Sequence, residues 1–327
     1  MKLLVELSME CESLARAEAV SAARALGGDP RVIDQDRGIM VLETSADPVT
    51  LSSRLGLCHF VDEWLTSCDF DDLEQAAAEV SVEGPIRVRS TKVGDVRVDL
   101  ALRSRRLGKV IGEGRGVDLH SPRSDVRAVF SGRVHLGKRL GSVDRSAFES
   151  RKNRYMPFIY PASLHPKFAR AMVNLTEVRP RGSVLDPFCG TGAIVAEASM
   201  IGLSAFGTDV SDRMIDGTNL NLRHLGLRAS TRICDVGRIS HEVGHVEGVA
   251  TDPPYGRSTS TKGESIPALY RRAFSAFSEV LGRGSRIAVT VSDVRLLEGV
   301  DSFRLLENHP LWVHRSLTRN FCVLSRT

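Results

Sequence analysis

The residues with the clearest chemical meaning in this sequence of 327 residues form one short motif, Asp252-Pro253-Pro254-Tyr255. The amino group of a nucleobase is a weak nucleophile because its lone pair is delocalised into the ring. Two acceptors that take both N–H bonds can hold the nitrogen pyramidal, with its lone pair directed at an electrophile. The Asp252 carboxylate and the Pro253 carbonyl are two such acceptors. The motif therefore predicts methyl transfer to an exocyclic amino nitrogen.

The whole motif fits this chemistry, and we take Asp252, Pro253, Pro254 and Tyr255 as candidate catalytic residues. The two prolines fix φ and remove backbone donors that would compete for the acceptors. Tyr255 offers a flat face on which a base can stack. An ordinary Pro-Pro turn would explain the prolines but neither the acid nor the aromatic residue. A base inside a duplex could not reach such a pocket, so the target must be unpaired or flipped out.

A glycine turn, Asp186-Pro187-Phe188-Cys189-Gly190-Thr191-Gly192, follows a predicted strand and precedes a helical stretch. Such a turn lets the backbone approach a ligand closely. A dinucleotide fold usually has a third glycine, whereas Ala193 follows here, and the first acid of the turn would repel a pyrophosphate. The same carboxylate suits the ammonium group of S-adenosylmethionine. We therefore interpret the turn as the site of this cofactor, with candidate contacts from Asp186, Phe188, Gly190, Thr191 and Gly192.

Two further acids, Asp209 and Asp235, follow the next two predicted strands. Asp209 is placed to accept both ribose hydroxyls of the cofactor, and Asp235 to accept the adenine amino group. Any one of these acids has an equally plausible alternative as a helix cap. Three of them at successive strand ends favour a cofactor site.

The elements around these motifs alternate between strand and helix from about residue 161, which is typical of a doubly wound, mostly parallel sheet of the α/β class. Strands are predicted near 183–185, 204–208, 231–233, 248–250 and 286–291, with a closing hairpin at 311–314 and 321–324. Ligands of such sheets bind beyond the carboxyl ends of the strands, so the acids and the catalytic motif should share one edge. Upstream, a strand at 3–8, a helix at 11–26 and a hairpin at 32–43 predict a small α+β unit.

Charge is unevenly distributed, although the net charge is only +4. Residues 1–85 carry 6 basic and 17 acidic residues, residues 86–154 carry 18 and 7, and residues 155–327 carry 20 and 16. A basic block of this density is the expected footprint of phosphate binding, although a solvated basic face is the alternative. Few aromatic residues are interleaved with it, which favours recognition of a folded RNA by phosphate and shape. The candidate RNA contacts are Arg103, Arg105, Arg106 and Lys109 on a helix predicted at 96–112, together with Lys138 and Arg139. Strands are predicted at 117–119 and 126–130.

Other features exclude several function classes. The apolar runs are shorter than a membrane span, and the charged start is unlike a secretory signal, so we expect a cytoplasmic protein with no membrane partner. The cysteines are far apart, without a Cys/His cluster, which predicts reduced, mostly buried thiols and no metal site. They are Cys11, Cys58, Cys68, Cys189, Cys234 and Cys322.

Taken together, these motifs resemble the archaeal tRNA guanine N2-methyltransferases that carry an N-terminal THUMP domain. The resemblance lies in the glycine turn, in Thr251-Asp252-Pro253-Pro254-Tyr255-Gly256-Arg257-Ser258, and in the lead-in Pro157–Pro166 followed by Lys167–Arg170. It implies a ferredoxin-like domain at 1–65, a THUMP RNA-binding domain at 66–154 and a Rossmann-like class I methyltransferase domain with a seven-stranded, mostly parallel sheet at 155–327. It also implies S-adenosylmethionine as the cofactor and guanosine 10 of tRNA as the target, giving N2-methyl- or N2,N2-dimethylguanosine.

Alternatives remain open from the sequence. A sister group of the same architecture modifies guanosine 6, and the tetrapeptide alone is shared with DNA amino-methyltransferases. The continuation into Gly256-Arg257-Ser258 and the basic block favour tRNA. A DNA adenine or protein glutamine methyltransferase, or an RNA-binding protein with an inactive methyltransferase unit, are the other hypotheses. The oligomeric state is not indicated.

Overall fold

The computed structural model describes residues 1–161, 163–255, 263–314 and 317–327, which group into two compact units. Gly256, Arg257 and Ser258 of the extended motif lie outside the described residues. The elements of the first part of the chain are β1 (Lys2–Leu7), α1 (Glu12–Ala25), β2 (Arg31–Asp36), β3 (Ile39–Glu43), α2 (Pro48–Arg54), β4 (Cys58–Cys68), α3 (Leu73–Ala78), β5 (Ile86–Lys92), α4 (Leu100–Gly112), β6 (Ser124–Phe130) and β7 (Val134–Ser142). The elements that follow are α5 (Arg145–Ser150), α6 (Pro166–Leu175), β8 (Ser183–Asp186), α7 (Ala193–Met200), β9 (Ser204–Asp209), α8 (Asp212–His224), β10 (Ser230–Ile233), α9 (Ile239–Glu242), β11 (Val246–Thr251), α10 (Ile266–Val280), β12 (Leu281–Val291), β13 (Phe303–His314) and β14 (Leu317–Arg326).

The first unit contains one seven-stranded sheet in the order β2-β3-β1-β4-β7-β6-β5. The domain boundary expected at residue 65 falls inside β4, which pairs with β1 on one side and β7 on the other. A buried ion cluster also crosses that boundary. The Arg127 guanidinium of β6 bonds Asp62 of β4 at 2.7 Å and Glu6 of β1, and burial raises the pKa of the Asp62 carboxyl to about 6.

Of the elements predicted for this unit, a hairpin is confirmed, a helix begins later than expected and one strand is wrong. The hairpin at 32–43 is confirmed as β2 and β3. The helix predicted at 96–112 begins only at Leu100, because the Asp99 side chain accepts a hydrogen bond from the Leu102 amide at 2.9 Å and caps it. The strand predicted at 117–119 is wrong. Only Val117 forms a single bridge, to Ile86, while the Asp118 carboxylate accepts hydrogen bonds from the His120 and Ser121 amides and turns the chain.

The second unit contains a seven-stranded sheet in the order β10-β9-β8-β11-β12-β14-β13. The first five strands are parallel, and β14 and β13 close the sheet as an antiparallel hairpin, which confirms the predicted mostly parallel α/β architecture. Its buried core includes Leu185, Val249 and Ile287 of the central strands packed with Phe274 and Phe277 of α10. This core fixes the carboxyl ends of β8, β9, β11 and β12 side by side.

Part of the N-terminal sequence belongs to this second unit, because Ser13–Leu26 and Arg54–Leu57 group with it. The fully buried Glu18 of α1 accepts the Gly56 and Leu57 amides at 2.7 Å each and the Asn174 side-chain amide at 2.8 Å. Burial raises the pKa of the Glu18 carboxyl to about 7. Residues 13–26 are thus structural parts of the unit that carries the glycine turn.

Two general features concern the described residues alone. None of their helices combines the length and apolar character that crossing a membrane requires. The six cysteines are free thiols, five of them buried and Cys68 partly exposed.

Candidate active site

The glycine turn lies between β8 and α7 and has the geometry expected of a ligand cradle. Gly190 and Gly192 both have positive φ, at 51° and 85°, which other residues adopt only with strain. A Cβ on Gly192 would lie 2.7 Å from the Thr218 side chain of α8. The Thr218 hydroxyl in turn donates to the Gly190 carbonyl at 2.8 Å. The turn is therefore held against α8 by Thr218, while the position of a Cβ on Gly190 has only the Phe188 carbonyl oxygen near it, at 3.9 Å.

A second contact holds the turn to the lead-in segment. The Asn221 amide of α8 donates to the Thr191 carbonyl at 3.0 Å and to the Phe158 carbonyl at 3.1 Å, and accepts from the Phe158 amide at 2.9 Å. The Ser163 and Thr191 hydroxyls are also hydrogen bonded to each other. Asn221 is buried, so its amide group is occupied by these backbone atoms. It thus fixes the turn and the lead-in segment to one helix.

Asp186 and Asp209 lie beside the turn, as predicted. Asp186 is 2% exposed and accepts from the Thr251 hydroxyl at 2.7 Å and the Phe188 amide at 3.2 Å. Burial, with the nearby Asp252 and Asp209 carboxylates, raises the pKa of Asp186 to about 7. Asp209 accepts from the Gly190 amide at 3.2 Å and the Ser211 amide at 2.9 Å. This edge of the sheet therefore concentrates negative charge.

Asp235 has a different environment, at the end of β10. It ion-pairs with Arg272 of α10 and accepts from the Gly237 amide at 2.9 Å, where it caps a short helical turn. Its side chain is 42% exposed. Asp235 therefore forms the helix cap that was the alternative interpretation of this residue. The assignment of Asp235 to the adenine amino group stays a prediction.

The residues of this edge fit S-adenosylmethionine. Gly190 leaves open space where a Cβ would lie, the Asp186 and Asp252 carboxylates suit a cationic ligand, and Asp209 ends the strand next to the turn. Such an acidic edge would repel a dinucleotide pyrophosphate. When bound, the cofactor supplies an electrophilic methyl group on sulfur.

The Asp252–Tyr255 tetrapeptide follows β11 directly and is bonded to side chains of β12 and β14. Asp252 Oδ1 accepts hydrogen bonds from the hydroxyls of Tyr255 and Thr290, and the Tyr255 hydroxyl lies 2.8 Å from that of Thr290. Arg319 of β14 places its guanidinium 3.6 Å from Asp252 Oδ2 and 3.2 Å from the Tyr255 hydroxyl. Burial and the Asp252 charge raise the pKa of the Tyr255 phenol well above its usual range, so it stays a neutral donor.

Sequence reasoning missed Thr290, Arg319 and Asn221. Thr290 lies at the end of β12, and Arg319 reaches the site only because β14 runs antiparallel to β12 with Thr290 opposite Phe321. Their sequence neighbourhoods carry no motif. Asn221 could have been suspected from its spacing, since it follows Thr218 by three residues and shares its helix face.

The candidate RNA contacts of the first unit fall into two groups. Arg105, Arg106 and Lys109 are exposed on α4, and Arg106 lies 3.5 Å from Glu74. The helix buries Leu107 and Ile111 on its other side, so these cations face outward. Arg103 is half-buried on the same helix.

The second group is less available for phosphate. Lys138 lies 3.5 Å from Glu63 and Arg139 lies 3.3 Å from Asp125, within the sheet. The Arg139 guanidinium also stands over the Phe60 ring, 4.9 Å from its centroid. Their charges are partly compensated, whereas Arg105 and Lys109 of α4 are exposed. Among the side chains that the structure describes, no group of three or more His, Cys, Asp or Glu residues is arranged to hold a metal ion.

Comparison with known proteins agrees with this geometry. The chain is 35% identical to a tRNA (guanine(10)-N2)-dimethyltransferase of Methanothermobacter thermautotrophicus over all of both chains. It is 30% identical to the protein of the same name from Pyrococcus abyssi over 98% of both. The crystal structure of TrmN from Thermus thermophilus shares its fold, with a TM-score of 0.56, 22% identity and full coverage of both chains. Residues 153–320 match the model of the UPF0020 family, described as an RMKL-like, methyltransferase domain. The chain therefore belongs to this methyltransferase family and is an enzyme with the class I methyltransferase fold.

Proposed function

We propose that this enzyme transfers a methyl group from S-adenosylmethionine to N2 of guanosine 10 in tRNA. The observation that carries the proposal is the Asp252 carboxylate at the end of β11, anchored through one oxygen by two hydroxyls. An anchored acceptor needs no reorganisation when charge develops on the attacking nitrogen. Relatives that match the chain over its whole length carry the name of this reaction.

The two carboxylate oxygens of Asp252 have different roles in this mechanism. Oδ1 is held by Tyr255 and Thr290, while Oδ2, which lies 3.6 Å from the Arg319 guanidinium, and the Pro253 carbonyl would accept the two amino hydrogens of guanine. The nitrogen lone pair then points at the methyl group. When bound, the cofactor would supply the methyl group and keep the bonding electron pair, and the nitrogen that accepts the methyl group would have to lose one proton. The adjacent Asp252 carboxylate can accept that proton.

The neighbouring groups support this acceptor. Arg319 compensates the negative charge of Asp252 from one side, while its own contact with Tyr255 keeps the ring in place. Tyr255 is fixed through its hydroxyl, which leaves a ring face as the stacking surface for a flipped base. We assign Pro253 and Pro254 the role of keeping the loop extended and free of competing amides.

The first unit would position the tRNA. We assign residues 1–65, apart from 13–26 and 54–57 that group with the catalytic unit, to a ferredoxin-like part and residues 66–154 to a THUMP part of the common sheet, and residues 155–327 to the catalytic domain. Exposed cations of α4 would bind tRNA phosphates, and a cytoplasmic location suits a tRNA substrate. Asp186, Phe188, Gly190, Thr191, Gly192, Asp209 and Asp235 are the proposed cofactor contacts.

The experiment uses labelled S-adenosylmethionine and unmodified tRNA transcripts in which guanosine 10 or guanosine 6 is replaced by adenosine. We expect the replacement at 10 to abolish label transfer and the replacement at 6 to leave it intact. Nucleoside analysis would identify N2-methyl- or N2,N2-dimethylguanosine. Loss of transfer on replacing guanosine 6 alone would move the target to that position, and labelling of plasmid DNA but not tRNA would refute the proposal.

The matched protein control is Asp252→Ala. Removing one preorganised polar group from a transition state costs at least about 2.7 kcal/mol, so kcat/KM should fall by about 100-fold or more. Because Asp252 is proposed to hold the guanine, cofactor affinity measured by calorimetry should change far less. Turnover near that of the unchanged protein would remove the proposed role of Asp252.

A further inference from the structure

An exposed tryptophan lies at the rim of the sheet that carries the candidate active site. Trp312 of β13 is 69% exposed, and Val313 beside it is 42% exposed. A tryptophan buries most of its large apolar surface on average, so a strongly exposed indole leaves a flat aromatic face available for a contact. Its location on the sheet indicates which molecule would cover it.

The position of Trp312 follows from strand register. Pairing between β12 and β14 ends at Val291 and Asn320, whereas the β13–β14 hairpin continues through the pairs Leu311–Arg319 and Trp312–Thr318. The hairpin therefore extends past the carboxyl end of β12, on the same edge as the Asp252 motif. Arg319, which contacts Asp252 and Tyr255, is adjacent to the residue opposite Trp312.

The alternation of side chains along the hairpin places Arg319 and Trp312 on different faces of the sheet. Opposite residues of an antiparallel pair share a face and successive residues alternate, so Arg319 and Leu311 point one way and Trp312 and Thr318 the other. Trp312 therefore does not stack on the base held at Asp252. Trp312 lies one residue along and one strand across from Arg319, roughly 6 Å away, which is near the spacing of neighbouring nucleotides in an extended strand.

We propose that Trp312 stacks on an unpaired base next to the target guanosine, and so holds open the RNA segment from which that guanosine is flipped. This inference rests on the proposed function, because it requires an RNA substrate at the Asp252 edge. An indole face is a sequence-tolerant platform for an unstacked base. Helix α4 has exposed cations but no aromatic residue, so the rim hairpin would add a stacking contact to the phosphate contacts proposed for that helix.

The sequence allows a direct spectroscopic test, because it contains only two tryptophans, Trp64 and Trp312. Trp64 is a partly buried residue of the first unit, where its indole N–H donates to Ser67 at 2.9 Å. A Trp64→Phe full-length protein therefore reports Trp312 fluorescence alone. We expect saturable quenching by unmodified tRNA and none by an RNA duplex of equal length, whose bases are already stacked. Equal quenching by the duplex, or no quenching at saturating tRNA, would overturn the proposal.

Kinetic variants give an independent readout in the otherwise unchanged protein. Loss of one base stack costs about 1–3 kcal/mol, so Trp312→Ala should raise KM for tRNA at least about 5-fold, with a smaller effect on kcat. Trp312→Phe should stay within about threefold of the original value, since it retains a ring. Leu305→Ala is the control, because Leu305 is 41% exposed on the same strand but paired with Leu324 at the far end.

The outcomes separate this inference from the proposed function. If Trp312→Ala methylates tRNA with an unchanged KM, the stacking proposal fails and the activity stands. If the unchanged protein methylates no tRNA, the proposed function fails at an earlier step. Concentration-dependent self-association that disappears in Trp312→Ala would assign the surface to a second copy of the chain and would also overturn the stacking proposal.

Discussion

Replacing Asp186 by asparagine should stabilise the protein in the absence of cofactor, even though this residue is assigned to cofactor binding. The pKa of the buried Asp186 carboxyl is raised from 3.8 to about 7. The folded protein therefore holds this proton more tightly than the unfolded chain does. The resulting penalty on folding is absent below about pH 4, grows as the pH rises, and is complete above about pH 7.

The magnitude follows from the same values. At about 1.36 kcal/mol per pH unit, the ionised carboxylate costs up to about 4 kcal/mol of folding free energy above pH 7, and about 3 kcal/mol of this appears between pH 5 and pH 8. Asparagine keeps a side-chain oxygen that can accept hydrogen bonds from the Thr251 hydroxyl and the Phe188 amide. Both of these hydrogen bonds should therefore be retained. The advantage of Asp186→Asn over the unchanged protein should therefore increase with pH.

The assay is denaturant unfolding of both proteins at pH 5 and pH 8 without cofactor, with calorimetric cofactor binding at pH 8. Asp212→Asn, on the exposed first turn of α8, is a control of equal charge change and should show no such pH-dependent gain. Asp186→Asn should also lose cofactor affinity, because a cationic ligand requires the carboxylate. A stability difference that is the same at both pH values would refute the reasoning about burial.

Three further results are expected. Thr290→Val keeps the side-chain volume but removes a hydroxyl that bonds Asp252, so kcat should fall about tenfold while Thr290→Ser retains most of it, as a rapid-quench or steady-state assay would measure. Asn221→Ala leaves the Thr191 carbonyl and Phe158 amide without this partner, so cofactor Kd by calorimetry should rise about tenfold. Asn219→Ala on the same helix should change it little. Arg105→Gln with Lys109→Gln should weaken tRNA binding and reduce the slope of log K against log salt by about 2, and an unchanged slope would remove these residues from the phosphate contacts.

Much of the catalytic unit could be predicted because its signals are local. The glycine turn, the acids after β8 and β9 and the tetrapeptide after β11 each stand beside a strand with a recognisable apolar pattern. Parallel strands bring their carboxyl ends to one edge, so the order of strands along the chain was enough to predict that Asp186, Asp209 and Asp252 would lie close together. The comparisons confirm the family that these motifs predicted.

Contacts made between distant segments could not be predicted in the same way. Arg319 reaches Asp252 through the register of β14 against β12, and a shift of one residue would turn its side chain to the other face. The grouping of α1 with the catalytic unit depends on the burial of Glu18 against Gly56, Leu57 and Asn174. The expected boundary at residue 65 lies inside β4, whose pairing with β1 and β7 joins strands that are far apart along the chain.

The amino-acid sequence by itself determined which reactive groups this protein presents, because the residues that carry them are neighbours in the chain. The Asp-Pro-Pro-Tyr acceptors and the glycine turn work through backbone carbonyls, fixed φ angles and adjacent side chains, which are local properties. Only the tertiary structure decided how Asp252 is held and where Trp312 stands, because both depend on strands brought together from residues far apart along the chain.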